Sequence, residues 1–386
     1  MPNRMERVST CDSFDALPAP YEALFRDAGA ASIFSSLPWF RNFAQTVLPP
    51  DARVRIYGVH ADSPERLALA LPLYYETRGA GKIGPRRLLG LGNYYTPLFG
   101  PVVSERSGCA QDCLNALATA LVAGRPKWDM LDLHPLAAET PLFDALLTAF
   151  HGAGMMATSY FRFGNWYLAV NNRSYREYHD TLPSVLRNTI RRKTARLEKS
   201  GRLRVQIVTD SEGLDGAIAA FGQVYNASWK TPEPYPRFIP GLIRACAKQG
   251  WLRLGIAHID GVPAAAQLWM VSAGVASIYK LAYDERFAAD SVGSILTSRL
   301  MQHVIDIDKV REVDFLSGDD PYKRDWMSHR RERRGIIVFN LRTPHGMLGA
   351  LKHMGGRLRK RLAAPRTVGD HDSSEKSIEV HDNRPQ

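Results

Sequence analysis

Hydrophobic and polar positions along the chain fall into two successive runs with the same order of periods. In the first, Val54–Val59 and Leu67–Tyr75 are rich in β-branched and aromatic residues and flank the turn-forming Ala61-Asp62-Ser63-Pro64, which predicts a hairpin. Leu114–Val122 then has helical spacing and Trp128–Leu133 strand spacing. In the second run, Leu252–Ile259 and Pro263–Val271 flank Asp260-Gly261, a strong signal for a two-residue hairpin turn. A strand at Ile278–Tyr283, a helix through Leu296, Leu300, Val304 and Ile307, and a strand at Glu312–Leu316 follow. Asp129-Met130-Leu131-Asp132-Leu133 and Arg311-Glu312-Val313-Asp314-Phe315 occupy corresponding places, so the halves read as two copies of one α/β unit.

Between the copies, Ser174–Ser200 reads as one helix. From Ser184 to Arg204 it holds eight cations (Arg187, Arg191, Arg192, Lys193, Arg196, Lys199, Arg202 and Arg204) against the single acid Glu198, with a thin apolar stripe of Leu186, Ile190 and Leu197. One side packs and the other is strongly positive. Like charges at helical spacing repel by roughly a few tenths of a kcal/mol per pair, so an anion would relieve this face. Near the start, Phe34 to Phe40 leads into a short helix through Phe43 and Val47; later helices are expected at 217–229 and 237–248, the second after the proline-rich Thr231–Pro236 connection. A last strand at Gly335–Asn340 is expected to close the second sheet. Met347, Leu351, Met354, Leu358 and Leu362 then recur at helical spacing among Lys352, Arg357, Arg359, Lys360 and Arg361, a basic amphipathic segment suited to an anionic membrane surface or to docking on its own domain. Gly355-Gly356 weakens it as a continuous helix. The polar tail after it is expected to be disordered. The division is 1–170, 171–200, 201–345 and 346–386.

Composition narrows the classes. The 386 residues suffice for two cores without disulfides; 45% hydrophobic and 23% charged residues describe a soluble globular chain. No apolar leader or membrane-length run occurs, so the expectation is a cytoplasmic protein, peripheral at the inner membrane if its basic end engages lipid. Cys11, Cys109, Cys113 and Cys246 do not make a disulfide framework; Cys109 and Cys113 share helical spacing, but with no second pair or His cluster they read as thiols and no metal is expected. A net charge of +11 calls for an anionic partner: CoA, a nucleotide-activated sugar, RNA or an acidic membrane. The Gly- and Arg-rich 81–92 stretch lacks Walker spacing and reads as a surface loop.

Candidate chemistry concentrates between Tyr279 and Trp326. Strand, Gly293-containing turn and helix succeed one another, and a helix N-terminus with a glycine offers free amides to a phosphate. The Asp314-Phe315 strand then runs into Ser317-Gly318-Asp319-Asp320-Pro321-Tyr322-Lys323-Arg324-Asp325-Trp326. Tyr283-Asp284-Glu285-Arg286-Phe287, Ser291-Val292-Gly293, Asp314-Phe315 and Gly318 to Trp326 follow the order of Tyr-Asp-x-x-Phe, Ser-Pro-Gly, Asp-Phe and Gly-Asp-x-x-Tyr-Lys-x-x-Trp, with Val292 in place of the usual Pro. In this the chain resembles the double-domain, CelD/BcsL-like and Fem-like group of GNAT-type acyltransferases, and Phe34 to Trp39 resembles that group's entry segment.

The resemblance implies two tandem GNAT-like domains, each a mixed, mostly antiparallel sheet flanked by helices, the first having lost its cofactor turn. It implies acyl-CoA as cosubstrate, held by Leu281, Ala282 and Tyr283 on the strand and by Ser291, Val292, Gly293 and Ser294 on the turn. Amine acylation needs a polarised carbonyl, a base and an acid for the departing thiolate. Tyr322 is the candidate acid, and Asp319 or Asp320, as an adjacent carboxylate pair, the candidate base. Lys323, Arg191, Arg192, Trp229, Gln267 and His258 are candidate substrate contacts, Lys323 alternatively neutralising Asp319 or Asp320, with the proline-rich loop bordering the acceptor.

The activity implied is acyl transfer to an amine of a cell-envelope, polysaccharide or lipid precursor, the acceptor being small or lipid-linked. Two other readings stay open: a Fem-like ligase taking its acyl group from aminoacyl-tRNA, and a noncatalytic protein binding membrane or nucleic acid through its basic segments.

Overall fold

The computed structural model describes residues 7–60, 63–76, 84–104 and 111–363, the last seven as backbone only. Cys109, the Gly81-Lys82 part of the glycine-rich stretch and the tail beyond 363 lie outside the described residues. Strands are β1 Val8–Cys11, β2 Arg53–His60, β3 Leu67–Tyr75, β4 Arg87–Gly90, β5 Val102–Val103, β6 Met130–Ala137 and β7 Met156–Ala169 in the first half. The second half holds β8 Leu203–Val208, β9 Leu252–Ile259, β10 Val262–Ser272, β11 Val275–Tyr283, β12 Glu312–Asp314 and β13 His329–Phe339.

All of them join one mixed sheet in the order β1-β2-β3-β4-β6-β13-β7-β12-β11-β10-β9-β8, with β5 beside β3. The halves repeat each other in pairing as well as in order. Each has an antiparallel hairpin (β2/β3 and β9/β10), and each has one parallel pair (β4/β6 and β11/β12). At the β9/β10 turn Asp260 and Gly261 both take positive φ, 52° and 79°, as a two-residue hairpin turn requires.

The last strands are exchanged. β13 does not close the second sheet: it pairs with β6 of the first half and, along its whole length, with β7, while β7 takes the place beside β12. At fourteen residues β7 is long enough to serve two neighbours, β13 with Met156–Tyr167 and β12 with Tyr167–Ala169. The crossing is held by charge. Arg331 on β13 donates to Asn165 Oδ1 on β7 at 2.7 Å, to Glu312 Oε1 at 2.7 Å and to Asp314 Oδ2 at 2.5 Å, and its guanidinium lies 4.3 Å from the Tyr167 ring centre.

Helices cover both faces of the sheet. The segment expected as one helix over 174–200 is two, Tyr175–Thr181 and Ser184–Lys199, because Pro183 can neither continue the first helix nor let the residue before it stay helical. A full capping box of Ser174 and Glu177 starts the first. Ile190 and Leu197 of the basic helix are buried, as their spacing predicts. The C-terminal helix Pro344–Ala363 runs straight through Gly355-Gly356 and leaves Met347, Leu348, Leu351 and Met354 exposed. No helix among the described residues is long and apolar enough to cross a membrane.

Because Arg331 faces two carboxylates, Arg331→Met should leave them uncompensated and destabilise the protein by about 3 kcal/mol. Chemical denaturation should show this as one cooperative transition for both halves, since each sheet contains the other's last strand; two separate transitions would contradict the shared sheet.

Candidate active site

The site begins where β11 loses its neighbour. β12 is only three residues long, so β11 is paired on that side through Val275, Ala276 and Ser277 and then stands free. Opposite β10, Leu268 faces Lys280 and Trp269 faces Ile278, leaving Tyr279 as an extra residue. Such a bulge bends and twists its strand, and here it swings the tip of β11 away from β12. Asp284 N–H donates to Ala264 O on β10, so by the two-residue period of a strand the amides of Leu281 and Tyr283 face the open side.

The chain leaving β12 turns away as well. Asp314 Oδ1 accepts from Leu316 N–H at 2.6 Å and from Asn165 Nδ2 at 2.5 Å, and Leu316 and Gly318 take positive φ of 57° and 98°. Between the two diverging segments lies a cavity of about 240 Å³, lined among others by Tyr94, Tyr95, Lys230, Lys280, Tyr322 and Lys323. The first half supplies one wall: Tyr279 Oη donates to Tyr95 O at 2.8 Å.

Below the β11 tip, Ser291 adopts φ 54° and starts the helix Val292–Gln302, whose first amides carry no side-chain cap. A Cβ on Gly293 would sit 3.2 Å from Tyr283 Cδ1, so glycine lets turn and strand approach closely. The buried Gln267 pins this turn from within, donating to Gly293 O at 3.0 Å and Thr297 Oγ1 at 2.8 Å and accepting from Trp269 Nε1. The basic helix docks alongside: Lys193 Nζ donates to Ala289 O at 2.7 Å and Arg196 pairs with Asp290. Arg191 and Arg192 remain exposed on the same helix, Arg191 donating to Asn188 Oδ1 at 2.9 Å.

The expected site residues separate into three groups. Leu281, Ala282, Tyr283, Ser291, Val292, Gly293 and Ser294 do converge on the tip and turn, and the Trp229 ring lies 4.7 Å from that of Tyr283, tilted by 48°. Tyr322 and Asp320 line the cavity; Tyr322 packs edge-on against Phe315, and burial followed by the Asp320 charge holds its phenol protonated well above the usual range. The third group is occupied or elsewhere. Asp319 accepts both guanidinium arms of Arg330 and the Trp166 indole N–H, and Arg330 holds its carboxyl below the usual range, which takes it out of the base role.

Asp320 pairs with Lys323 at 2.9 Å, so the two aspartates do not form a coupled pair. Lys323 is buried and spends its protons on Ser317 O, Gly318 O and Asp320, fastening the loop instead of meeting substrate phosphate. Gln267 is a support of the turn, with no free polar atom to offer. His258 lies on β9 beside Arg204 of β8, two strands from β11, and burial lowers its pKa.

Sequence reasoning passed over the chamber's most charged corner. Glu233, from the proline-rich loop, pairs with Lys280 of β11 at 2.6 Å and accepts from the Tyr94 and Tyr95 hydroxyls. Burial pushes the Glu233 carboxyl up, but Lys280 and the hydroxyls outweigh it and keep it ionised. Lys230 precedes the same loop, with Nζ 5.7 Å from the Tyr225 ring centre and 5.8 Å from that of Trp229. Burial, then the charge of Lys280, pulls its pKa down to about 8. The proline-rich composition of Thr231–Pro236 was the available signal, since it fixes where the residues on either side of it can point.

A lysine whose pKa falls on folding binds its proton more weakly in the folded state. Its charge therefore costs stability below about pH 8, and the cost fades as pH rises from about 8 toward the unfolded value near 10.5. Lys230→Met is accordingly expected to stabilise the protein by about 1–2 kcal/mol at pH 7, with the gain shrinking by pH 10, as read from denaturant midpoints across pH.

Residues 184–324 match the family described as "Acetyltransferase (GNAT) domain". Among solved structures, FemX is similar with a TM-score of 0.61 at 11% identity, over 86% of this chain and 98% of that one. The C-terminal domain of a putative lysylphosphatidylglycerol synthetase from Agrobacterium fabrum is similar at 0.51 and 14% identity, over 87% and 96%. A conserved protein of unknown function from Bacteroides thetaiotaomicron is similar at 0.51 and 12% identity, over 82% and 95%. At these identities the likeness is one of fold. No curated protein sequence matches the chain.

Proposed function

We propose that this chain, a GNAT-type acyltransferase with a tandem, Fem-like fold, takes its acyl group from acyl-CoA and delivers it to an amine of a cell-envelope, polysaccharide or lipid precursor. The observation that carries the reading is the pairing of an open strand tip with an uncapped, glycine-containing helix start directly below it. Leu281 and Tyr283 present amides suited to an extended amide-bearing arm such as pantetheine. Val292, Gly293 and Ser294 present amides at a positive dipole end, suited to a pyrophosphate. Arg191 and Arg192, on the basic helix docked beside the turn, are placed to add charge for the remaining phosphate.

In the chamber, an amide on the β11 edge polarises the thioester carbonyl, as a fixed donor aimed at developing negative charge should. Tyr322, kept protonated, donates to the departing sulfur. The acceptor enters between Trp229, the proline-rich loop and the Tyr94-Tyr95 wall.

The aminoacyl-tRNA reading is kept by the Ser184–Lys199 helix, on which Arg191, Arg192, Arg196 and Lys199 are exposed. The two donors differ in salt response, since a polyphosphate backbone contacting several cations gives a steep dependence of affinity on salt.

Calorimetric titration with CoA, acetyl-CoA and a long-chain acyl-CoA tests the donor. Saturable thioester binding is expected, weakened about tenfold or more in Gly293→Glu, which places bulk and negative charge where phosphate would sit. Binding of charged tRNA with a steep salt dependence, and of no thioester, would replace acyl-CoA as the donor.

A further inference from the structure

Three carboxylates at or beside the cavity at the β11 tip are candidates for accepting a proton, and all three are already matched. Glu233 is neutralised by Lys280 at 2.6 Å, and Asp320 by Lys323 at 2.9 Å. Asp319 is spoken for by Arg330 and Trp166. Each of these carboxylates already accepts from a cation. His258 lies two strands away, and Tyr322 is on the donor side of the balance. That leaves the third lysine of the chamber.

Lys230 differs from its neighbours in every respect that matters. It makes no side-chain ion pair among the described residues, whereas Lys280 and Lys323 each do. It is placed at the start of the proline-rich loop, among Tyr225 from the preceding helix, Trp229, Glu233 of the same loop, Lys280 from β11, and Asp320 and Lys323 from the loop after β12. Burial first, then the nearby Lys280 ammonium, disfavours the charged form and brings the pKa down to about 8, against the pull of Glu233 and of the Tyr225 and Trp229 rings beneath it. The geometry that produces it is specific: the loop carries Glu233 onto Lys280, which leaves no carboxylate for Lys230.

We propose that Lys230 is the general base of this site, acting on an acceptor that arrives as a primary ammonium. The inference rests on the acyltransferase reading above. Neutral Lys230 Nζ takes one proton from the acceptor ammonium and passes it to solvent. The freed lone pair forms the C–N bond to the acyl carbon, and the C–S bond breaks with its electron pair going to sulfur. Sulfur takes the Tyr322 proton, and the second ammonium proton of the acceptor restores Tyr322, so charge and protons balance.

The test uses the full-length protein with acetyl-CoA and a panel of primary amines, following thiol release, beside calorimetry with CoA. Lys230→Met and Lys230→Arg should both keep CoA affinity within about twofold and both lose kcat by about 100-fold or more, since arginine keeps the charge but cannot accept a proton. The acidic limb of the kcat/KM profile near pH 8 in the wild type should be absent from both. Competitive labelling with acetic anhydride across pH, read by peptide mass spectrometry, should show Lys230 titrating well below the surface lysines without any turnover. Recovery of activity in Lys230→Arg would overturn the base role in favour of simple anion attraction. Unchanged kcat and pH profile in Lys230→Met would overturn it outright. Absence of CoA binding in the wild type would instead remove the donor reading, a result the labelling experiment separates from Lys230 itself.

Discussion

The Arg331 guanidinium, held between Asn165, Glu312 and Asp314, is the contact on which the rest of the molecule depends. It joins β13, β7 and β12 where the two halves trade their last strands. An arginine in this position is matched twice by carboxylate and once by amide, so its partial burial is compensated and its removal is not. Asp314 is shared: one oxygen meets Arg331, the other accepts from Leu316 N–H and Asn165. The electrostatic lock and the turn that opens the site are therefore one structure. Anything that loosens the crossing also moves the loop carrying Tyr322 and Lys323.

The exchange also ties the first half to the site of the second. The first half contributes strands to the shared sheet, Tyr279 Oη is seated on its Tyr95 carbonyl, and Tyr94 and Tyr95 close one side of the chamber on Glu233. Its role is to hold and wall the site of the second half. Within that wall the charges are arranged unequally. Lys280 and Lys323 are paired with carboxylates, Lys230 is in no ion pair among the described residues, and the helix of cations lies outside beside the turn.

Local chemistry was legible in the chain. The hairpins, the parallel order of the two halves, the helix beginning after Ser291 and the loop from Gly318 to Trp326 follow from side-chain period, turn residues and a family-like order of motifs, all of which act over a few residues. Asp260-Gly261 is a turn because of what those two residues can do with their backbones. The strand ending at Tyr283 and the helix that starts around Gly293 follow for the same reason, and Pro183, which splits the basic segment into two helices, is a signal just as local.

Partners were not legible, because they are set by contacts between residues far apart in sequence. Asp319 and Asp320 are neighbours in the chain, but Arg330 and Trp166 claim one and Lys323 the other, so their adjacency says nothing about their pKa. Lys323 looks like an exposed phosphate ligand until the loop folds over it. Glu233 meets Tyr95 across 138 positions and Lys280 across 47, and Lys230 becomes distinctive only because that meeting leaves it without a counter-charge. The sequence by itself determined which segments are strands, turns and helices and that the unit occurs twice. The tertiary structure decided which last strand joins which half and which charge is left unpaired, since both depend on the competition among distant groups for the same few buried partners.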